Sequence, residues 1–128
     1  MSIFRRSKGG PGRVTVQEAA GRTGHGDSTE RGDAVLLDVR EAHEWQAGHA
    51  PRAVHLPLSA LSAGAGLPPR AQSRPLIVIC RSGNRSRRAA ELLAARGADA
   101  VDVVGGMQDW AGAGLPVVDS RGKAGTVA

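Results

Sequence analysis

The sequence predicts an α/β domain built on an open, mainly parallel five-stranded sheet with helices on both faces. Two observations carry most of this. The runs Ala34-Val35-Leu36-Leu37-Asp38-Val39 and Leu76-Ile77-Val78-Ile79 are apolar almost throughout rather than alternating, as in strands covered on both sides. Around them, short strand-like and helix-like segments take turns, and such alternation needs crossover connections that leave the strands parallel. The 128 residues suit one domain, and no internal repeat is evident.

Taken in order, Val14-Thr15-Val16 reads as a short strand, followed by a weak helix through Glu18-Ala19-Ala20 that stops near Gly21. Thr23 to Gly32 is a polar loop. After the first long apolar run, Glu41 to Gln46 offers one or two helical turns ended by Gly48. Ala53-Val54-His55-Leu56 is a further strand, closed by Pro57. The Gly/Pro-rich loop Gly64 to Pro69 leads to the second apolar run. In Arg87 to Arg96, Ala89, Ala90, Leu92, Leu93 and Ala94 form a helical stripe that Gly97 stops. Val101, Val103 and Val104 make the last strand, and Met107 to Ala111 a short helix. The domain is expected to span 14–118, flanked by a flexible basic segment 1–13 and a flexible tail 119–128.

Composition narrows the function. Apolar residues are 41% and aromatics 2%, so the core is built from small and branched aliphatic side chains. The net charge of +5 invites a nucleic-acid reading. Against it, the arginines are dispersed, their one tight cluster surrounds a cysteine, and almost no aromatic residue is available to stack on bases. A basic surface also steers small anions. No apolar run follows Arg5, Arg6 and Lys8, so a signal peptide is not expected. No stretch is long and apolar enough for an integral membrane segment. A single cysteine cannot form an internal disulfide, which fits a reducing, cytoplasmic setting.

The chemistry concentrates at that cysteine. Cys80 follows directly on the strand Leu76 to Ile79, at a strand carboxyl end, where open α/β sheets bind ligands. The segment Cys80-Arg81-Ser82-Gly83-Asn84-Arg85-Ser86 joins a thiol, a glycine and two guanidiniums ahead of a helix. Backbone N–H groups turned inward by such a loop, together with the positive helix end, form an anion cradle that also favours a thiolate. Arg81 and Arg85 are candidate holders of an anionic substrate, with Ser82, Gly83, Asn84 and Ser86 lining the loop. Arg87 and Arg88 read as solvated helix residues. Asp38 and Arg40 follow another strand end; Asp38 is assigned a structural role, and Arg40 is counted among the substrate-binding candidates. His49 and His55 lack further ligand spacing, so no metal is expected, and no cofactor is called for.

The same residues resemble the rhodanese-like domains. Leu37-Asp38-Val39-Arg40-Glu41 with Glu44-Trp45 is similar to that family's first signature, and Gly48-His49-Ala50-Pro51-Arg52-Ala53-Val54-His55-Leu56-Pro57 to its second. The cysteine loop is the third, and Gly105-Gly106-Met107 through Trp110, with Ala113-Gly114-Leu115-Pro116-Val117, resembles the closing segment. The resemblance runs from about Val14 to Val118. It implies a central five-stranded parallel sheet and a sulfurtransferase in which Cys80 takes a sulfane sulfur from thiosulfate or a related anion as a persulfide. Arg85 matches the basic position that closes the family's loop, and Arg81 a more variable one. Related phosphatases place arginine one residue later, where this chain has Ser86, so phosphatase activity is not expected.

The lone thiol adds a constraint of its own. With no resolving cysteine, the sulfur must leave to an external acceptor: cyanide, a small thiol or a partner protein's cysteine. The alternative reading is a sulfur-carrier or interaction module of the same fold with little small-molecule turnover.

Overall fold

The computed structural model describes residues 6–7, 10–26 and 32–128. Two short strands, β1 (Arg6–Ser7) and β2 (Gly10–Pro11), pair antiparallel. The main sheet contains β3 (Arg13–Val14), β4 (Val35–Asp38), β5 (Val54–His55), β6 (Leu76–Ile79) and β7 (Ala100–Val103), in the order β3-β7-β6-β4-β5, with every pairing parallel. The helices are α1 (Val16–Arg22), α2 (Ala42–Ala47), α3 (Leu58–Ser62), α4 (Asn84–Ala95) and α5 (Gly106–Gly112). The open parallel α/β sheet predicted from the sequence is the fold observed.

Alternation along each strand divides the core in two. Leu36, Ile77, Ile79, Val101 and Val103 meet Ala19 and Ala20 of α1 and Met107 and Trp110 of α5. Val35, Leu37, Leu76 and Val78 meet Leu61 of α3 and Ala89, Ala90 and Leu93 of α4. The central strands β4 and β6 are buried along their whole length, which explains why their sequences are nearly unbroken apolar runs.

Several boundaries differ from the sequence reading. Val16 lies in α1 rather than in a strand, because the Thr15 hydroxyl accepts a hydrogen bond from the Glu18 N–H and caps the helix. Gly21 stays inside α1, whose end is instead marked by Thr23 donating its hydroxyl to the Ala19 carbonyl at 2.8 Å. Helix α3 carries no signal in the sequence: it starts directly after Pro57 and buries only Leu61, too short for a visible period. Helix α4 begins at Asn84, three residues ahead of the start at Arg87 that the sequence suggests.

The flanking segments also differ. Much of 1–13 lies outside the described residues, but Arg13 belongs to β3 and reaches the cysteine loop. The segment 119–128, expected to be flexible, folds back onto the domain. Thr126 N–H donates to the Ala47 carbonyl at 3.0 Å, and Val127 packs against the core. Gly48 and Gly125 make this possible, since a Cβ on either would strike the other segment's backbone. Among the described residues, no helix is long and apolar enough to cross a membrane.

Candidate functional site

Strand β6 lies at the middle of the sheet and delivers Cys80 beyond its carboxyl end. The chain then turns through Arg81 and Ser82 to Gly83, whose φ of 106° is open to glycine and costly for other residues. That turn directs the Gly83 N–H at the Cys80 Sγ, with N···S 3.1 Å. Helix α4 starts at the next residue, so its positive end faces the same sulfur. Cys80 is only 1% exposed.

Behind the sulfur runs a polar chain. The Cys80 thiol donates to Ser86 Oγ at 3.4 Å, and the Ser86 hydroxyl donates to Asp102 Oδ2 at 2.8 Å. Asp102 is held by Arg13, whose Nε and Nη2 each lie 3.0 Å from a carboxylate oxygen. Arg13 Nη2 also donates to the Gly83 carbonyl at 2.9 Å. The sequence reading missed both residues: Asp102 sits within an apolar strand, and Arg13 was counted with the flanking segment.

A second support comes from α5. The Cys80 carbonyl accepts from Met107 N–H and the Arg81 carbonyl from Gln108 N–H, at 2.8 and 3.0 Å. The approach needs Gly106, where φ is +56° and a Cβ would overlap the Cys80 carbonyl oxygen.

The candidate anion holders are distributed unevenly. Arg85 projects from the first turn of α4 and makes a forked pair with Glu44 of α2, with Nη1–Oε1 and Nη2–Oε2 both 2.7 Å. Glu44 is further fixed by the Glu41 N–H at 3.0 Å. Its carboxyl is pulled down to about 2, chiefly by the Arg85 hydrogen bonds, against the opposing effect of burial. The same pairing raises Arg85, to which the nearby Cys80 adds a smaller contribution. Arg81 is exposed, and its Nε donates to the Ala128 carbonyl at 2.8 Å. Ser82 is exposed on the loop, as are Asn84, Arg87 and Arg88 on the helix.

Arg40 is a correction to the sequence reading. Its side chain has no exposed surface, so it does not face a substrate. Nε and Nη2 engage Asp38, Nη2 also reaches the Gly48 carbonyl at 2.7 Å, and the residue's own carbonyl accepts from His55 Nε2. The physical reason is that an arginine buried beside a buried aspartate is stabilised only when its donors are all turned inward. Asp38 is itself buried, and its Oδ1 also accepts the Arg40 backbone N–H at 3.1 Å. His49 Nδ1 is bonded to the Trp45 carbonyl, and the imidazoles of His49 and His55 stack on Trp45 with centroids 3.6 and 4.8 Å away. A groove of about 630 Å³ lined by Leu67, Pro75, Leu93 and Asp99 lies at the opposite end of the strands and shares no residue with the cysteine loop.

Residues 25–113 match the model of the rhodanese-like domain. The chain belongs to the rhodanese-like domain family. Its sequence is 40% identical over 82 residues to "Adenylyltransferase and sulfurtransferase MOCS3-2" of Zea mays, a stretch that is 59% of this chain and 17% of that protein. The chain thus spans less than a fifth of the length of this relative. Among solved structures, a rhodanese-related protein of Thermoplasma volcanium has a TM-score of 0.68 and 29% identity, covering 84% of this chain and 97% of that one. A rhodanese homolog of Thermus thermophilus has a TM-score of 0.57 and 31% identity, covering 75% and 97%. The family match encloses the whole cysteine loop, Glu44 and Asp102, and leaves Arg13 outside.

Proposed function

We propose that this rhodanese-like domain is a sulfurtransferase whose nucleophile is Cys80. The thiolate attacks the outer sulfur of thiosulfate or another sulfane donor. The donor's S–S bond breaks with its electron pair on the departing sulfite, and the outer sulfur remains on Cys80 as a persulfide. A thiolate or cyanide then attacks that sulfur, and Cys80 leaves as thiolate. The single observation carrying this reading is the Gly83 N–H at 3.1 Å from Sγ, at a strand end that also meets a helix N-terminus. Such donors stabilise negative charge on sulfur without the need of a metal or cofactor.

Arg85 is the favoured anion holder and Arg81 the lesser one. Glu44 occupies two of the Arg85 donors and fixes the guanidinium, leaving its remaining N–H groups for a sulfonate oxygen. The loop backbone from Ser82 to Asn84 completes the cradle. Position 86, where the related phosphatases carry arginine, holds a serine turned toward Asp102, so negligible hydrolysis of p-nitrophenyl phosphate is expected. A reducing cytoplasm suits a thiol that must be regenerated each cycle.

The burial of Cys80 and the absence of a second cysteine favour one alternative, a carrier that accepts and yields sulfur only within a docked protein complex. The two readings separate on turnover. With thiosulfate and cyanide, the enzyme reading expects sulfite and thiocyanate from the wild type and neither from Cys80→Ser. Poor turnover with rapid sulfur uptake from a cysteine desulfurase would favour the carrier.

A further inference from the structure

The sulfur chemistry above gives no role to the carboxylate behind the nucleophile. Asp102 is 2% exposed and borders the loop from β7. Its Oδ2 receives both the Ser86 hydroxyl and Arg13 Nη2, and its Oδ1 receives Arg13 Nε. The Ser86 hydroxyl has one proton to give. While Asp102 holds that proton, Ser86 turns only lone pairs toward Cys80, which suits a thiol donating its own S–H across 3.4 Å. A thiolate, or the inner sulfur of a persulfide, has no proton and would face those lone pairs without attraction.

We propose that Asp102, clamped by Arg13, is a positioning residue that sets the orientation of the Ser86 hydroxyl and thereby the ease with which Cys80 becomes a nucleophile. With Cys80 as a thiol, the hydroxyl proton rests on Asp102. When the thiol proton leaves to solvent, the hydroxyl rotates and donates to the sulfur instead. Arg13 makes the rotation tolerable, because its two hydrogen bonds continue to satisfy the buried carboxylate. The same guanidinium holds the Gly83 carbonyl, coupling the clamp to the loop whose N–H faces the sulfur. Among the described residues, the charged groups of the cysteine loop are Arg81 and Arg85, the latter with its partner Glu44 of α2, and their hydrogen bonds go to Ala128 and Glu44 rather than to Ser86.

The test is the pH dependence of iodoacetamide alkylation of Cys80 in the full chain. Alkylation reads the thiolate alone, so it stays interpretable even if the wild type transfers no sulfur, and failure of one proposal is distinguishable from failure of the other. In Asp102→Asn the hydroxyl is freer to serve the sulfur, and alkylation near pH 6 should be faster by about threefold, with the midpoint displaced to lower pH. Ser86→Ala removes the donor and should move the midpoint the opposite way. Arg13→Ala leaves Asp102 uncompensated and should also slow alkylation, with Arg13→Lys restoring part of the rate. Opposed shifts in Asp102→Asn and Ser86→Ala would support the assignment. Shifts in the same direction, or superimposable profiles, would overturn it. Should Asp102→Asn fail to fold by circular dichroism, Arg13→Ala decides: slower alkylation supports the clamp, and an unchanged profile removes it.

Discussion

Glu44 and Arg85 join two helices through a forked pair with both N···O distances at 2.7 Å, and so hold the proposed anion-binding guanidinium beside the cysteine loop. The Glu44 carboxyl lies at about 2 instead of 4.5, chiefly because Arg85 hydrogen-bonds its ionised form. A depressed carboxylate contributes stability that is complete above the unfolded value and disappears as pH falls through the folded one. The window is therefore about pH 4.5 down to about 2. The Arg85 side chain is 35% exposed, so water screens the pair and the contribution is discounted to about 1 kcal/mol. Urea unfolding should show the wild type losing its advantage over Glu44→Gln by that amount as pH drops through this window. Parallel curves for the two proteins would contradict the pairing.

His25 titrates in the other window. Burial first, and Arg52 second, lower it to about 4 from 6.5. The hydrogen bonds agree. Thr23 donates to the Ala19 carbonyl and so accepts from His25 Nδ1, while Nε2 accepts from the Arg52 N–H, which leaves no place for a second ring proton. Unfolded chains take up that proton readily, so stability is complete above about pH 6.5 and falls as pH descends toward 4. His25→Gln should abolish about 3 kcal/mol of this pH dependence, whatever its fixed cost to stability. Thermal melts of both proteins across the window check it.

The buried Asp38–Arg40 pair predicts non-additivity. Removing one partner leaves an uncompensated buried charge, so Arg40→Ala should cost about 3 kcal/mol in denaturant unfolding. Replacing both partners with Asp38→Asn and Arg40→Met should cost less than the two single changes combined. A substrate-binding Arg40 would instead raise KM without loss of stability.

Gly106→Ala should displace the site through the backbone. A Cβ there meets the carbonyl of Cys80 itself, at a φ that other residues avoid. A loss of about 2 kcal/mol is expected, together with slower alkylation of Cys80. Gly112→Ala, where a Cβ meets nothing within 4 Å, is the control.

The sheet was legible because β4 and β6 are buried on both faces and write that burial as continuous apolar runs. The cysteine loop was legible because thiol, glycine and arginines are adjacent in the chain. What escaped was long-range. Asp102 is joined to Arg13 across 89 positions, and Arg85 to Glu44 across 41, so neither partner marks the other in sequence. Arg40 misled because its place after a strand end also suits a pocket; only its burial gives it to Asp38. The docked tail depends on two glycines whose meaning appears only when their backbones touch.

The central claim, a persulfide on Cys80, is tested most directly by intact-mass spectrometry of the reduced protein after thiosulfate, then after cyanide, with Cys80→Ser alongside. The account predicts a gain of one sulfur atom that cyanide removes and that the serine variant never shows. An unchanged mass after thiosulfate and after polysulfide, or a sulfur gain retained in Cys80→Ser, would contradict it.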